Sequence, residues 1–190
     1  MTSNFKMRTF EVWDDQHLDL KNKLLRGIYA YGFEKPSPIQ KKACLSMIQE
    51  NKDGQRSDII AQAQSGTGKT GAFSISLLQI VDETVQETQA LVLAPTHELA
   101  NQTFNFIKSV GSYLKIIPQL LVGGTSVDKD KQQLENNVPH IVIGTPGRIH
   151  DMIRRKYLKP NKFKCIVVDE ADEMLSSGFK DQLYKIFQYI

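Results

Sequence analysis

The chain's pattern predicts an α/β fold, a parallel sheet with helices on both faces, and three observations point to it. Short aliphatic runs recur without interruption: Ala90-Leu91-Val92-Leu93, Leu120-Leu121-Val122, Ile141-Val142-Ile143 and Cys165-Ile166-Val167-Val168. Unbroken apolar runs of this length are strands buried on both faces. Each is followed by glycine, proline or an acidic residue and then by a helix-forming stretch, the alternation that builds parallel crossover units. Finally, 190 residues with 41% hydrophobic and 24% charged side chains suit one domain with a sizeable core.

From the N-terminus, residues 1–17 read as an arm and 18–190 as a single lobe. Leu18, Leu20, Leu24, Leu25, Ile28 and Tyr31 lie close to helical spacing, and Gly32 supplies a C-terminal stop. Pro36 and Pro38 punctuate a turn, after which Ile39 to Gln49 reads as a helix. Asp58-Ile59-Ile60-Ala61 reads as a strand leading into Ala63-Gln64-Ser65-Gly66-Thr67-Gly68-Lys69-Thr70, and Ala72, Phe73, Ile75, Leu77 and Leu78 continue it as an apolar helix. A glycine-rich turn between strand and helix aims backbone N–H groups inward and adds the positive end of a helix, a cradle for polyphosphate. Lys69 supplies a compact cation for the outer phosphates, and the Thr70 hydroxyl suits magnesium. These residues point to a nucleoside triphosphate.

Ligands of open parallel sheets bind outside the carboxyl ends of the strands. Thr70, Pro95-Thr96, Gly123-Gly124, Thr145-Pro146-Gly147-Arg148 and Asp169-Glu170 all fall at those ends. Asp169 at a strand tip suits magnesium held largely through water, and Glu170 beside it is placed to orient or deprotonate an attacking water. Asp172 suits tying loops together. A phosphate loop paired with this acidic motif about a hundred residues downstream reads as a nucleoside triphosphatase.

The rest of the composition limits the class. A net charge of +3 tolerates a polyanionic partner without requiring one. Cys44 and Cys165 lie far apart with no metal-ligand spacing, as expected of reduced thiols. No apolar run approaches spanning length, and Met1-Thr2-Ser3-Asn4 is too polar for a secretory leader. The expectation is a soluble monomer of a reducing compartment, cytoplasmic with the nucleus as alternative, and no membrane partner.

These motifs resemble the DEAD-box RNA helicases over nearly the whole chain. The stretches Leu24 to Ser37 and Asp169 to Lys180 are most similar to the branch that acts in translation initiation. The resemblance implies a RecA-like lobe whose phosphate loop begins with alanine, as here at Ala63. It implies that Gln40 reads the adenine edge and Phe33 stacks on the base, with Trp13 in the place of an upstream aromatic. Ser65, Gly66, Thr67, Gly68, Lys69 and Thr70 would then hold ATP, with magnesium on Thr70 and Asp169. Lys69, Asp169 and Glu170 would be the catalytic set, and Lys69 and Glu170 would face one shared nucleotide. Pro95, Thr96, His97, Gly123, Gly124, Thr145 and Arg148 would line a path for RNA, contacting phosphates and sugars with little sequence preference. An initiation-factor scaffold is the implied protein partner.

Two departures stand out. His97 occupies the place of the family's arginine, so a permanent cation gives way to an imidazole; the expectation is weaker RNA affinity that improves below neutral pH. The chain also holds neither the family's Ser-Ala-Thr triplet nor its second RecA-like lobe. In the family arrangement the triplet's strand lies between the phosphate-loop strand and the acidic-motif strand. Weak ATPase activity without unwinding is therefore expected of the isolated chain. The alternatives are a nucleotide-, RNA- or partner-binding module without turnover, and an unrelated phosphotransferase, against which Gln40 argues.

Overall fold

Helices and strands fall close to where hydrophobic spacing puts them, with one exception just before the glycine-rich loop. The computed structural model describes residues 9–64 and 66–190; Met1 to Asn4 and Ser65 lie outside them. The chain divides into two compact units, Met1–Ile80 with Ser109–Tyr113, and Val81–Lys108 with Leu114–Ile190.

The first unit is helical. It contains α1 (Asn22–Ala30), α2 (Pro38–Ile48) and α3 (Lys69–Ile80). Gly32 ends α1 as expected, with φ +96° and its N–H donating to the Tyr29 carbonyl at 3.0 Å, the left-handed stop that glycine adopts at least cost. Pro38 opens α2, where its missing N–H is not needed. Helix α3 packs against both α1 and α2 and buries a continuous run from Gly71 to Leu78. Gly27 lets α1 approach the end of a later helix: a Cβ there would lie 1.9 Å from the Val110 carbonyl oxygen. The described part of the arm is packed rather than loose, since Phe10 and Trp13 are buried with ring centroids 5.7 Å apart.

The exception is Asp58-Ile59-Ile60-Ala61. This run forms no strand, and Ile60 is fully exposed. An apolar run becomes a strand only when a neighbour satisfies its backbone N–H and C=O groups. Among the described residues no strand pairs with it.

The second unit carries that sheet: β1 (Ala90–Leu93), β2 (Pro118–Leu121), β3 (Ile141–Gly144) and β4 (Cys165–Val168). The order is β2-β3-β1-β4 and every pairing is parallel, with Leu91 opposite Val142 and Ile166. Central strands β1 and β3 are buried throughout, whereas edge strand β4 is half-buried along its length. The connecting helices are α4 (His97–Val110), α5 (Val127–Asn136), α6 (Pro146–Arg154), α7 (Ala171–Ser176) and α8 (Lys180–Phe187). One face of the sheet gives Leu91, Leu93, Leu121 and Val142 to a core shared with Ile149, Met152, Met174 and Ile186. Because all four strands run the same way, Pro95-Thr96, Gly123-Gly124, Thr145 and Asp169-Glu170 leave one edge of the sheet together. Among the described residues no helix is long and apolar enough to cross a membrane.

Candidate functional site

In the first unit, the glycine-rich loop turns into α3 through two left-handed glycines, Gly66 at φ +77° and Gly68 at φ +100°. The Thr67 hydroxyl donates to the Gln64 carbonyl at 2.7 Å and so tightens the turn. Lys69 and Thr70 form the opening of α3, both half-buried. They sit where the first N–H groups of a helix have no carbonyl partner within it, the position from which a helix binds anions.

Gln40 lies against this loop. Its Oε1 accepts from the Ser37 N–H at 2.7 Å, and its Nε2 donates to the Gly68 carbonyl at 3.3 Å. The side-chain amide has two acceptor lone pairs and two donor hydrogens, so these two bonds leave one of each uncommitted, on a residue that is 3% exposed. The contact explains two glycines. A Cβ on Gly68 would lie 2.9 Å from Gln40 Nε2, and one on Gly71 would lie 2.6 Å from it and 3.2 Å from the Phe33 ring. Phe33 is half-buried, with Tyr31 edge-on at 5.2 Å between centroids and Trp13 stacked nearly parallel at 6.4 Å.

The second unit gathers the residues expected along an RNA path. Pro95 is buried, while Thr96 and His97 are exposed at the start of α4. Thr96 Oγ1 accepts from the Leu99 N–H at 3.2 Å and caps that helix. The His97 imidazole packs on Gly123, its Nε2 being 3.4 Å from where a Cβ would stand. Gly124 follows at φ +78°, and the Thr125 hydroxyl closes the bend by donating to the Val122 carbonyl at 2.9 Å. Thr145 is buried, and its N–H donates to the Leu121 carbonyl at 3.1 Å.

Arg148 departs from the expectation of a phosphate-facing guanidinium. It turns inward, donating to Asp130 Oδ2 through one terminal nitrogen and to the Thr125 carbonyl at 2.7 Å through the other. The Arg148 and Asp130 side chains are 8% and 7% exposed. A buried cation is tolerated only with such a partner.

At the tip of β4, the Asp169 N–H donates to the Leu93 carbonyl at 2.9 Å, which fixes the backbone beside β1. Asp169 Oδ1 accepts from the Glu170 N–H at 3.0 Å. Glu170 sits at φ +47°, ψ +52° just before α7, a left-handed conformation that costs a residue with a side chain about 1–3 kcal/mol. Asp172 lies with Glu173 in the first turn of α7, where negative charge favours the helix dipole.

Sequence reasoning missed Ser37, Thr125 and Asp130. The Ser-x-x-Gln spacing of Ser37 and Gln40 was a legible capping-box signal. Only half of that box forms: Gln40 accepts from the Ser37 backbone, and the Ser37 hydroxyl is buried without a hydrogen-bond partner. Asp130 gave no signal, because its partner lies eighteen residues downstream. Among the described residues no three His, Cys, Asp or Glu side chains form a metal cage. Thr70 and Asp169 are nevertheless oxygen donors of the kind magnesium takes alongside substrate phosphates. Burial pushes the Cys44 thiol up to about 12, so it is inert, and neither cysteine is in a disulfide.

A model of the DEAD/DEAH box helicase family matches residues 37–190. The chain belongs to that family. The ATP-dependent RNA helicase eIF4A of Chaetomium globosum is 51% identical over 182 residues, which make up 96% of this chain and 44% of that protein. The solved DEAD box protein of the hyperthermophile Methanococcus jannaschii superimposes with a TM-score of 0.86 at 35% identity, covering 95% of this chain and 47% of that one. S. cerevisiae Dbp5 bound to RNA and ADP BeF3 gives a TM-score of 0.81 at 41% identity, with 91% and 42% covered. As a DEAD/DEAH box helicase chain, it spans less than half the length of these relatives, and its parallel sheet with flanking helices matches the RecA-like domain they contain.

Proposed function

We propose that this chain is the ATP-binding and RNA-binding lobe of an ATP-dependent RNA helicase, working in the cytoplasm in translation initiation. The observation that carries the proposal is the seating of Gln40 on the Gly68 carbonyl, which joins the base-reading motif to the phosphate loop. In this reading Gln40 and Phe33 select adenine, and the loop from Ser65 to Thr70 holds the phosphates. Lys69 balances their charge, and Thr70 and Asp169 hold magnesium. Magnesium supplies charge neutralisation at the phosphates. Glu170 orients water for attack on the terminal phosphate. Pro95, Thr96, His97, Gly123, Gly124 and Thr145 offer backbone and small polar groups to RNA phosphates and sugars.

The lobe is taken to span 18–190 after an arm, and unwinding to require a second RecA-like lobe closing over ATP and RNA, since arginines reaching the phosphates from outside are worth about 10³–10⁵ in rate in P-loop enzymes. A monomer that docks on an initiation-factor scaffold completes the proposal.

The test is ATP hydrolysis with and without RNA, in this chain, in its Glu170→Gln variant and in a version extended by a second lobe. Slow turnover in the chain, loss on Glu170→Gln and strong RNA stimulation in the longer version are expected. ATP binding with no turnover in either length would favour a binding module instead. Failure of Lys69→Ala to weaken ATP affinity would remove the nucleotide assignment.

A further inference from the structure

Arg148 lies on α6 and Asp130 on α5, and the Gly123-Gly124 bend precedes α5. One buried guanidinium joins all three, through Asp130 Oδ2 and the Thr125 carbonyl. The single proton of the Thr125 hydroxyl is shared between the Val122 carbonyl at 2.9 Å and, more weakly, Asp130 Oδ2 at 3.3 Å. The bend is therefore held after Gly124 by the Arg148 guanidinium on the Thr125 carbonyl, and before Gly123 by the Thr125 hydroxyl that lies beside the ion pair. A phosphate at Arg148 would have to displace these partners at a side chain that is 8% exposed.

We propose that Arg148 and Asp130 are positioning residues for RNA: the pair fixes the backbone of Gly123 and Gly124, and beside them His97, in the geometry that meets an RNA phosphate, while Arg148 itself touches no RNA. This rests on the RNA-binding assignment above. It predicts that the pair controls affinity without adding to the count of neutralised phosphates.

The experiment measures binding of the 190-residue chain to fluorescein-labelled oligouridylate across a salt series. The parent is compared with Arg148→Lys and with the double variant Asp130→Asn/Arg148→Gln. The double change removes both charges, so no orphaned ion is left inside and the fold persists. The expected result is about a tenfold loss of affinity in the double variant, from misplacement alone, with the slope of log affinity against log salt equal to the parent's. Arg148→Lys, which keeps the charge but loses the two-ended grip, falls between them. A slope shallower by about 0.7 in the double variant would mean that Arg148 meets a phosphate, and would overturn the proposal. So would a lower melting temperature with unchanged RNA affinity, which is what a purely structural pair would give. Parent chain that binds no RNA at any salt would remove the RNA assignment and this inference together. Parent binding with an indifferent double variant removes this inference alone.

Discussion

The glycine-rich loop at 63–70 and the Gly123-Gly124 bend are both assigned to phosphates, yet the molecule holds them in different ways. The first is approached by an exposed, unpaired segment and is met on its helix side by Gln40. The second leaves the end of a paired strand and is clamped by a buried ion pair. A loop that closes on a ligand needs room to adjust, whereas a surface that reads a repeating backbone gains from being set in advance.

Breaking the second region should cost most. Asp130→Asn leaves Arg148 buried without its counter-charge, and a loss of about 3–5 kcal/mol in unfolding free energy is expected. Ile60→Lys, on the exposed run before the phosphate loop, should stay within about 0.5 kcal/mol of the parent. Urea unfolding of the two variants measures the contrast, and equal losses would erase it.

Next in size are the glycines beneath Gln40. Gly71→Ala forces a methyl to 2.6 Å from Gln40 Nε2 and should cost about 1–3 kcal/mol, the usual range for overpacking. Gly66→Ala has a left-handed φ but open space around it, so it should retain the Gln40 contact and cost less. Thermal melts of both variants, with ATP affinity measured alongside, separate crowding from backbone strain.

A third change sharpens the RNA side. His97→Arg restores a permanent cation beside Gly123 and should raise RNA affinity by about 1 kcal/mol at neutral pH, the scale of one charge-assisted contact. Titration of a labelled oligouridylate with parent and variant at one pH measures the change. Equal affinity in parent and variant would dismiss His97 as an RNA contact.

The smallest effect concerns pH and the foot of the sheet. His140 is buried, and its Nδ1 accepts from the Ile117 N–H at 3.1 Å. Burial holds its pKa below the ordinary imidazole value, against the opposing pull of Glu83 and Asp82. The unfolded chain thus takes up a proton that the folded one resists. This contribution to stability is complete above about pH 6.5 and is lost as pH falls toward the folded-state value. Unfolding midpoints compared between parent and His140→Asn should show a shallower acid decline in the variant.

The sequence by itself determined the elements that depend on neighbours within a few residues. Aliphatic runs, the Gly32 stop and the start of α3 at Lys69 follow from local sterics and burial pattern, so β1, β3 and β4 lie where the runs predict. Strand β2 begins two residues early at Pro118 and ends at Leu121, a shift that spacing alone does not resolve. Tertiary structure decided whatever needed a partner from elsewhere in the chain. Residues 58–61 have the composition of a strand and none of the pairing. Arg148 has the look of a surface cation, and its environment is fixed by an aspartate in another helix. A side chain's chemistry is written in its residue type, but its burial and its partner are properties of the packed chain.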